Sequence, residues 1–201
     1  MRFVGIDPST KTGFVAINQG SIVLKDKELK GISSEDPKRM STLIDEVMAH
    51  VRMDDIICIE GFPYETQRAM FAGGLHWGIR NALYKRGITY YEAAPNAVKK
   101  FVNVTGWVGE VGHKKRLTGP EKKKVVMKAV EEHFGFVHKS DNVVDAYILA
   151  EIAKDIWTVE NGKECSINSG FLPSYQAEVI DTILNPVEKP KKKRKKKVAK
   201  V

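Results

Sequence analysis

The chain of 201 residues carries two cysteines, Cys58 and Cys165, and neither has metal-ligand spacing around it. That scarcity excludes a disulfide framework and a cysteine-built zinc site, and a reducing compartment is the simplest expectation. His113 and His138 also lack ligand partners at metal-binding spacing and read as ordinary surface histidines. No uninterrupted apolar run is long enough to span a bilayer, and the N-terminus has no secretory apolar region. A soluble intracellular protein without a membrane partner is expected. A further shortage is local. From Lys189 to Lys200 there is no acid, against nine Lys and Arg, with Lys191, Lys192, Lys193 and Arg194 at the centre. Taking those nine from the 33 basic residues leaves 24 against 25 acids. The net charge of +8 is therefore the property of a tail. Such a run stays disordered and engages nucleic acid or another polyanion. It also reads as a nuclear-import signal (Pro190 to Val198) or as a solubilising segment.

What is present begins with Phe3, Val4 and Ile6, a short apolar strand ending on Asp7. The turn Pro8-Ser9-Thr10-Lys11-Thr12-Gly13 leads to a second strand, Phe14 to Ile17, so a hairpin is expected. A third strand, Ser21 to Leu29, completes an antiparallel meander. Ser34 and Asp36-Pro37 supply helix-start chemistry, and Met40, Leu43, Ile44, Val47, Met48 and Val51 follow at steps of three and four. Ile56 to Ile59 is a continuous apolar run, as in a strand buried on both faces, and it ends on Glu60. A right-handed crossover would set this strand parallel to a neighbour. If that neighbour is the first strand, Asp7 and Glu60 meet at the carboxyl edge, where open α/β sheets place ligands.

Residues Thr66 to Arg86 read as a long helix with Gly73, Gly74 and Gly78 inside it, for close packing or for a helix–helix dimer contact. A fifth strand, Ile88 to Ala93, and a short helix opened by Pro95 come next. Asn103 to Gly119 is a long loop with little periodicity, carrying Trp107, Lys114, Lys115 and Arg116. Basic and aromatic residues together suit backbone contact and base stacking on nucleic acid, and a plain surface loop has the same composition. Pro120 opens a helix with Lys122 and Lys123 in its first turns, against the helix dipole. The helix from Asp141 to Trp157 has an apolar face of Val144, Ile148, Leu149, Ile152 and Ile156. Asp141 and Asp145 project from the middle of that face, a break in pattern expected mainly at functional sites. A last short helix is expected from Ser174 to Leu184.

Asp7, Glu60, Asp141 and Asp145 can thus converge. Four carboxylates repel one another, but two hard divalent cations turn them into a site for in-line phosphoryl displacement. Mg²⁺, or Mn²⁺, suits an all-oxygen site.

The stretches Val4-Gly5-Ile6-Asp7-Pro8-Ser9 with Thr12-Gly13, Ile59-Glu60-Gly61-Phe62 and Asp141-Asn142-Val143-Val144-Asp145-Ala146 resemble the RuvC-type Holliday-junction resolvases of the RNase H-like superfamily, especially the compact phage versions. Gly119-Pro120-Glu121-Lys122-Lys123 is similar to that family's Gly-to-Glu-Lys helix start, whose Lys contacts DNA. The resemblance runs from Met1 to about Trp157. It implies an α/β RNase H-like fold with a five-stranded mixed sheet in the order 3-2-1-4-5. It also implies an endonuclease for branched DNA in recombination or repair, acting as a homodimer with two metal ions per site and no small-molecule cofactor. Asp7, Glu60 and Asp145 would be metal ligands, and Asp141 stands where phage-like members place the fourth acid. Phe62 or Tyr64 would be the aromatic that wedges the junction. The organisation expected is a nuclease domain over 1–157, an extension with a short helix over 158–188 and a basic tail over 189–201. A phage origin would put the protein in a bacterial cytoplasm; an import signal would put it in a nucleus. Two alternatives stand beside the resolvase: an RNase H-like nuclease for flaps or RNA–DNA hybrids, and a non-catalytic nucleic-acid binder. The strand–turn–strand opening also occurs in actin-like and sugar-kinase ATPases, but the chain is too short for their duplicated domain and lacks their second glycine-rich phosphate loop.

Overall fold

The computed structural model describes residues 1–62, 69–110, 113–162 and 172–186. Tyr64, Cys165, the first residues expected for the long helix and the basic tail lie outside the described residues.

A five-stranded sheet forms the centre, in the order β3-β2-β1-β4-β5. It is built from β1 (Arg2–Asp7), β2 (Thr12–Asn18), β3 (Val23–Leu29), β4 (Asp55–Glu60) and β5 (Tyr90–Ala93). The first three strands pair antiparallel; β4 lies parallel to β1, and β5 parallel to β4. Side chains alternate cleanly because both faces are covered. Val4, Ile6, Phe14, Ala16, Ile57 and Ile59 face one layer of helices, and Phe3, Val15, Ile17 and Cys58 face the other. The parallel register is pinned at the strand starts. Arg2 sits opposite Asp55, and its Nε and Nη2 donate to the two Asp55 carboxylate oxygens at 2.6 Å each, both residues being buried. A paired, forked geometry is what makes such a charge tolerable inside.

The first face carries α1 (Lys38–His50) and α2 (Ala69–Lys85). Helix α1 has no side-chain cap: Asp36 is engaged instead by Arg39 in a surface pair at 2.8 Å. The α2 glycines differ in their surroundings, and two of them serve close packing. A Cβ on Gly78 would stand 2.3 Å from Ile44 of α1 and one on Gly74 3.2 Å from Met40, whereas Gly73 faces open space.

The second face carries α3 (Pro95–Phe101), α4 (Gly119–Phe134), α5 (Asp141–Glu160) and α6 (Ser174–Leu184). Helix α4 starts on a capping box formed by Thr118 and Glu121 and stops at Gly135 in the left-handed conformation. The amphipathic stripe foreseen for α5 is a correction. The helix is buried nearly all round, since Val143, Tyr147 and Ala150 are as enclosed as Ile148 and Ile152. It is sandwiched between the sheet and the three other helices, so it has little face left for water. Within Asn103 to Gly119, expected as loop, the structure forms a two-stranded ribbon, β6 (Trp107–Val108) with β7 (Lys115–Arg116), placing Trp107 opposite Arg116.

Candidate active site

Asp7 and Glu60 end neighbouring parallel strands, and by alternation both side chains belong to the face covered by α5. Asp145 reaches them because α5 lies unusually close to the sheet. A Cβ on Gly5 would stand 1.8 Å from the Ala146 carbonyl oxygen, and one on Gly13 would stand 1.9 Å from that of Asn142. Those distances are possible only without side chains, so the two glycines decide how deep the acid-bearing turn of α5 sits. The turn before β2 is also fixed: buried Thr12 donates its hydroxyl to the Ser9 carbonyl at 2.8 Å.

The electrostatics follow from this crowding. Asp7 is buried, and its pKa is raised well above the ordinary carboxylate value, first by burial, then by the charges of Glu60 and Asp145. Asp7 and Glu60 are close enough to act on each other, Glu60 pushing Asp7 up and Asp7 drawing Glu60 down. Glu60 is raised mainly by burial, with Lys99 pulling the other way. Asp145 is pushed up to about 7 by burial and then by the Glu60 carboxylate. Asp141 is the exception in being neutralised already, by an ion pair with Lys123. That contact raises the Lys123 ammonium in turn.

A surplus of buried, mutually repelling oxygens is the donor chemistry that a hard divalent cation such as Mg²⁺ or Mn²⁺ would need. Among the described residues no three acids already enclose a common point. The Lys123 pair relieves part of the cluster's repulsion.

Two basic residues that the sequence reading passed over belong here. Lys99 of α3 acts on both Glu60 and Asp145 and lines a cleft of about 250 Å³ with Lys122, Lys123, Asp141 and Asp145. The available signal was the helix opened by Pro95 directly after β5, which must begin at the same carboxyl edge as Glu60. Arg80 of α2 is only 3% exposed. Its Nη2 donates to the Glu60 carbonyl oxygen at 3.1 Å and to Glu92 at 2.7 Å, and Nη1 lies 3.1 Å from Nδ1 of His76. His76 is fully buried and pushed down to about 4 by burial and by Arg80, so it is neutral. With Nδ1 accepting from Arg80, Nε2 carries the proton and faces the Pro8 carbonyl without good hydrogen-bond geometry. One buried unit on α2 therefore touches the backbone beside both strand-end acids. No periodicity marks it, because Arg80 and His76 occupy helix positions that composition alone assigns to a surface.

Of the expected DNA-contacting residues, Lys122 and Lys123 join the acids. Phe62 is half-buried beneath the Arg80 guanidinium, 4.4 Å from its ring centroid, with His76 and Trp77 rings at 5.1 and 5.3 Å. Trp107, Lys114, Lys115 and Arg116 are exposed on or beside the ribbon, which is tied to the start of α4 by Lys115–Glu121 at 3.8 Å. Tyr64, Lys191, Lys192, Lys193 and Arg194 lie outside the described residues.

No family model matches the chain, and no curated protein matches it. Among solved structures, Thermus thermophilus RuvC in complex with a Holliday junction substrate is similar with a TM-score of 0.55 at 18% identity, over 81% of this chain and 96% of that one. A second Thermus thermophilus RuvC structure has a TM-score of 0.51 at 19% identity, over 81% and 97%. The chain thus has the RuvC-like, RNase H-like fold, with the strand order expected of it.

Proposed function

We propose that this chain is a divalent-metal-dependent endonuclease that cuts branched DNA, with the four-way junction as its substrate. The observation that carries the reading is the meeting of Asp7, Glu60 and Asp145 beneath α5, with Lys99, Lys122 and Lys123 around them. The similar RuvC structure that holds a Holliday junction directs the choice of substrate. Asp7, Glu60 and Asp145 would hold the ions, with Asp141 as the fourth carboxylate once Lys123 turns to phosphate. Held there, two such ions would supply activation of a water and charge stabilisation at the phosphodiester. The protein's own share is to fix the acids on two strand ends and one rigid helix and to hold the strand by its lysines. We assign the nuclease to 1–157, an accessory role to 158–188, and non-specific DNA attraction to the basic arm at 189–201.

A four-way junction has two equivalent scissile phosphates, so two sites related by a two-fold axis are needed. The exposed side of α2 supplies a candidate contact. Met70, Trp77 and Tyr84 recur at seven-residue spacing, 93%, 59% and 82% exposed, with Gly73 open between the first two. We read this stripe as a contact with a second copy of the chain, because the two scissile phosphates call for two sites.

The deciding experiment is cleavage of matched four-way junction, flap, linear duplex and RNA–DNA hybrid substrates with and without Mg²⁺. Junction cutting that requires the metal is expected. Preferential cutting of flaps or hybrids would keep the chemistry and replace the substrate.

A further inference from the structure

Beside the acidic cleft lies a second chamber of about 410 Å³, between α3, the loop after it, α4 and α6. Asn96, Lys99, Lys100, Asn103, Lys122 and Tyr175 are among the residues that line it. Lys99 and Lys122 also line the cleft of Asp141 and Asp145, so the two chambers share a wall.

The chamber is short of negative charge. Lys123 is occupied by Asp141 and Lys100 by Glu178 at 2.6 Å. Lys99 donates to the Pro95 carbonyl at 3.1 Å and feels the Glu60 and Asp145 carboxylates from the neighbouring cleft, and half-buried Lys122 has no carboxylate at ion-pair distance among the described residues. Two partly buried ammonium groups on a chamber lined by no carboxylate, one of them without an ion pair among the described residues, fit an anion between them.

The chamber also has a fixed aromatic wall. Tyr175 is half-buried, and its neighbour Gln176 is buried and donates through Nε2 to the Phe101 carbonyl at 3.0 Å. Ala177, Val179 and Ile180 are buried on the same helix, and the Tyr175 ring lies 6.3 Å from that of His133. A ring so anchored loses little freedom when a planar group stacks on it. Charge, aromatic wall and size together describe one nucleotide of a DNA strand.

We propose that this chamber is a nucleotide subsite of the nuclease: it takes the nucleotide next to the scissile phosphate, with its phosphate between Lys99 and Lys122 and its base against Tyr175. The inference rests on the nuclease reading and gives α6, beyond the nuclease region proper, a part in holding the strand.

The test uses the full-length chain in a chelating buffer, so that nothing is cut, and a single-stranded oligonucleotide carrying one 2-aminopurine. Stacking on Tyr175 quenches that base. Tyr175→Leu, which keeps an apolar side chain against His133, should abolish the quenching and weaken binding about 5-fold or more. Tyr175→Phe should retain both, because stacking needs the ring and not the hydroxyl. Lys122→Gln should lower the slope of log affinity against log salt by about 0.7. Quenching and affinity unchanged in Tyr175→Leu, or a Phe variant as impaired as the Leu variant, would overturn the subsite. Failure of the wild-type chain to cut any substrate with Mg²⁺ counts against the nuclease, whereas normal cutting with unaltered quenching in Tyr175→Leu counts against the subsite alone.

Discussion

In the metal-free protein Asp145 keeps its proton up to about pH 7, because burial and the Glu60 carboxylate both disfavour its charge. In the unfolded chain the same group ionises near its ordinary value of 3.8. Below that value both states are protonated and pH has no effect through this residue. Between there and about 7 only the unfolded chain releases the proton, so the fold loses stability as pH rises, by up to about 1.4 kcal/mol per unit. Asp7, raised as well, adds in the same direction. Metal-free protein should therefore melt at lower temperature at pH 7.5 than at pH 5, and Asp145→Asn should reduce that difference in thermal denaturation scans with chelator. The same substitution, like Asp7→Asn and Glu60→Gln, should abolish metal-dependent cutting while leaving junction binding largely intact, since contact with DNA rests on the lysines. Cleavage by Asp7→Asn near the unmodified rate would sink the assignment. Arg80 acts one step further out, through the Glu60 carbonyl and the Phe62 ring. Arg80→Lys keeps the charge and loses the fork, and should lower single-turnover cleavage about 10-fold or more with a much smaller change in affinity.

Among the elements, α5 has the narrowest tolerance. Its close approach depends on Gly5 and Gly13, where a Cβ would collide with backbone that cannot rotate away. Gly13→Ala should destabilise the fold by about 1–3 kcal/mol or more in urea titrations. Cleavage at a temperature where the variant is still folded should fall further, because the same displacement carries Asp145 away from Asp7. On the other side of the sheet, α2 turns Met70, Trp77 and Tyr84 outward. If this face is the proposed dimer contact, Trp77→Glu should shift sedimentation of the free protein toward monomer and uncouple the two cuts on one junction. A wild-type chain that sediments as a monomer both alone and on a junction would remove the dimer.

For the whole molecule, the charge distribution matters more than the total. Outside Lys189 to Lys200 the chain is nearly neutral, so long-range attraction to DNA falls to local lysine clusters and to the tail. If roughly half the tail's cations engage phosphates, deleting residues 189–201 should flatten the slope of log affinity against log salt by about 3–5 units on duplex DNA. Junction and linear duplex should weaken alike, and the preference for the junction should hold. Coincident slopes for the full-length and truncated proteins would leave targeting or solubility as the account of the tail.

Much of this was legible in one dimension. The short apolar runs Phe3 to Ile6 and Ile56 to Ile59 specify strands because burial on both faces leaves an unbroken apolar stretch in the sequence. Asp7 and Glu60 stand out because a carboxylate ending such a strand has no local purpose, and Asp145 because it interrupts an apolar helix. The order of the five strands came from resemblance to a family, since crossover rules alone leave several neighbours open for β4. What only the tertiary structure decided depends on contacts between residues far apart in the chain. Arg80 and His76 look like surface residues until α2 lies across the end of β4. Lys99 is one of two adjacent lysines until α3 turns it toward Glu60. Tyr175 has no meaning in its own segment and acquires one when Gln176 fastens α6 to Phe101. Periodicity reports how a segment meets water, whereas the partner of a buried polar group is chosen by the packing of distant elements, which no local window contains.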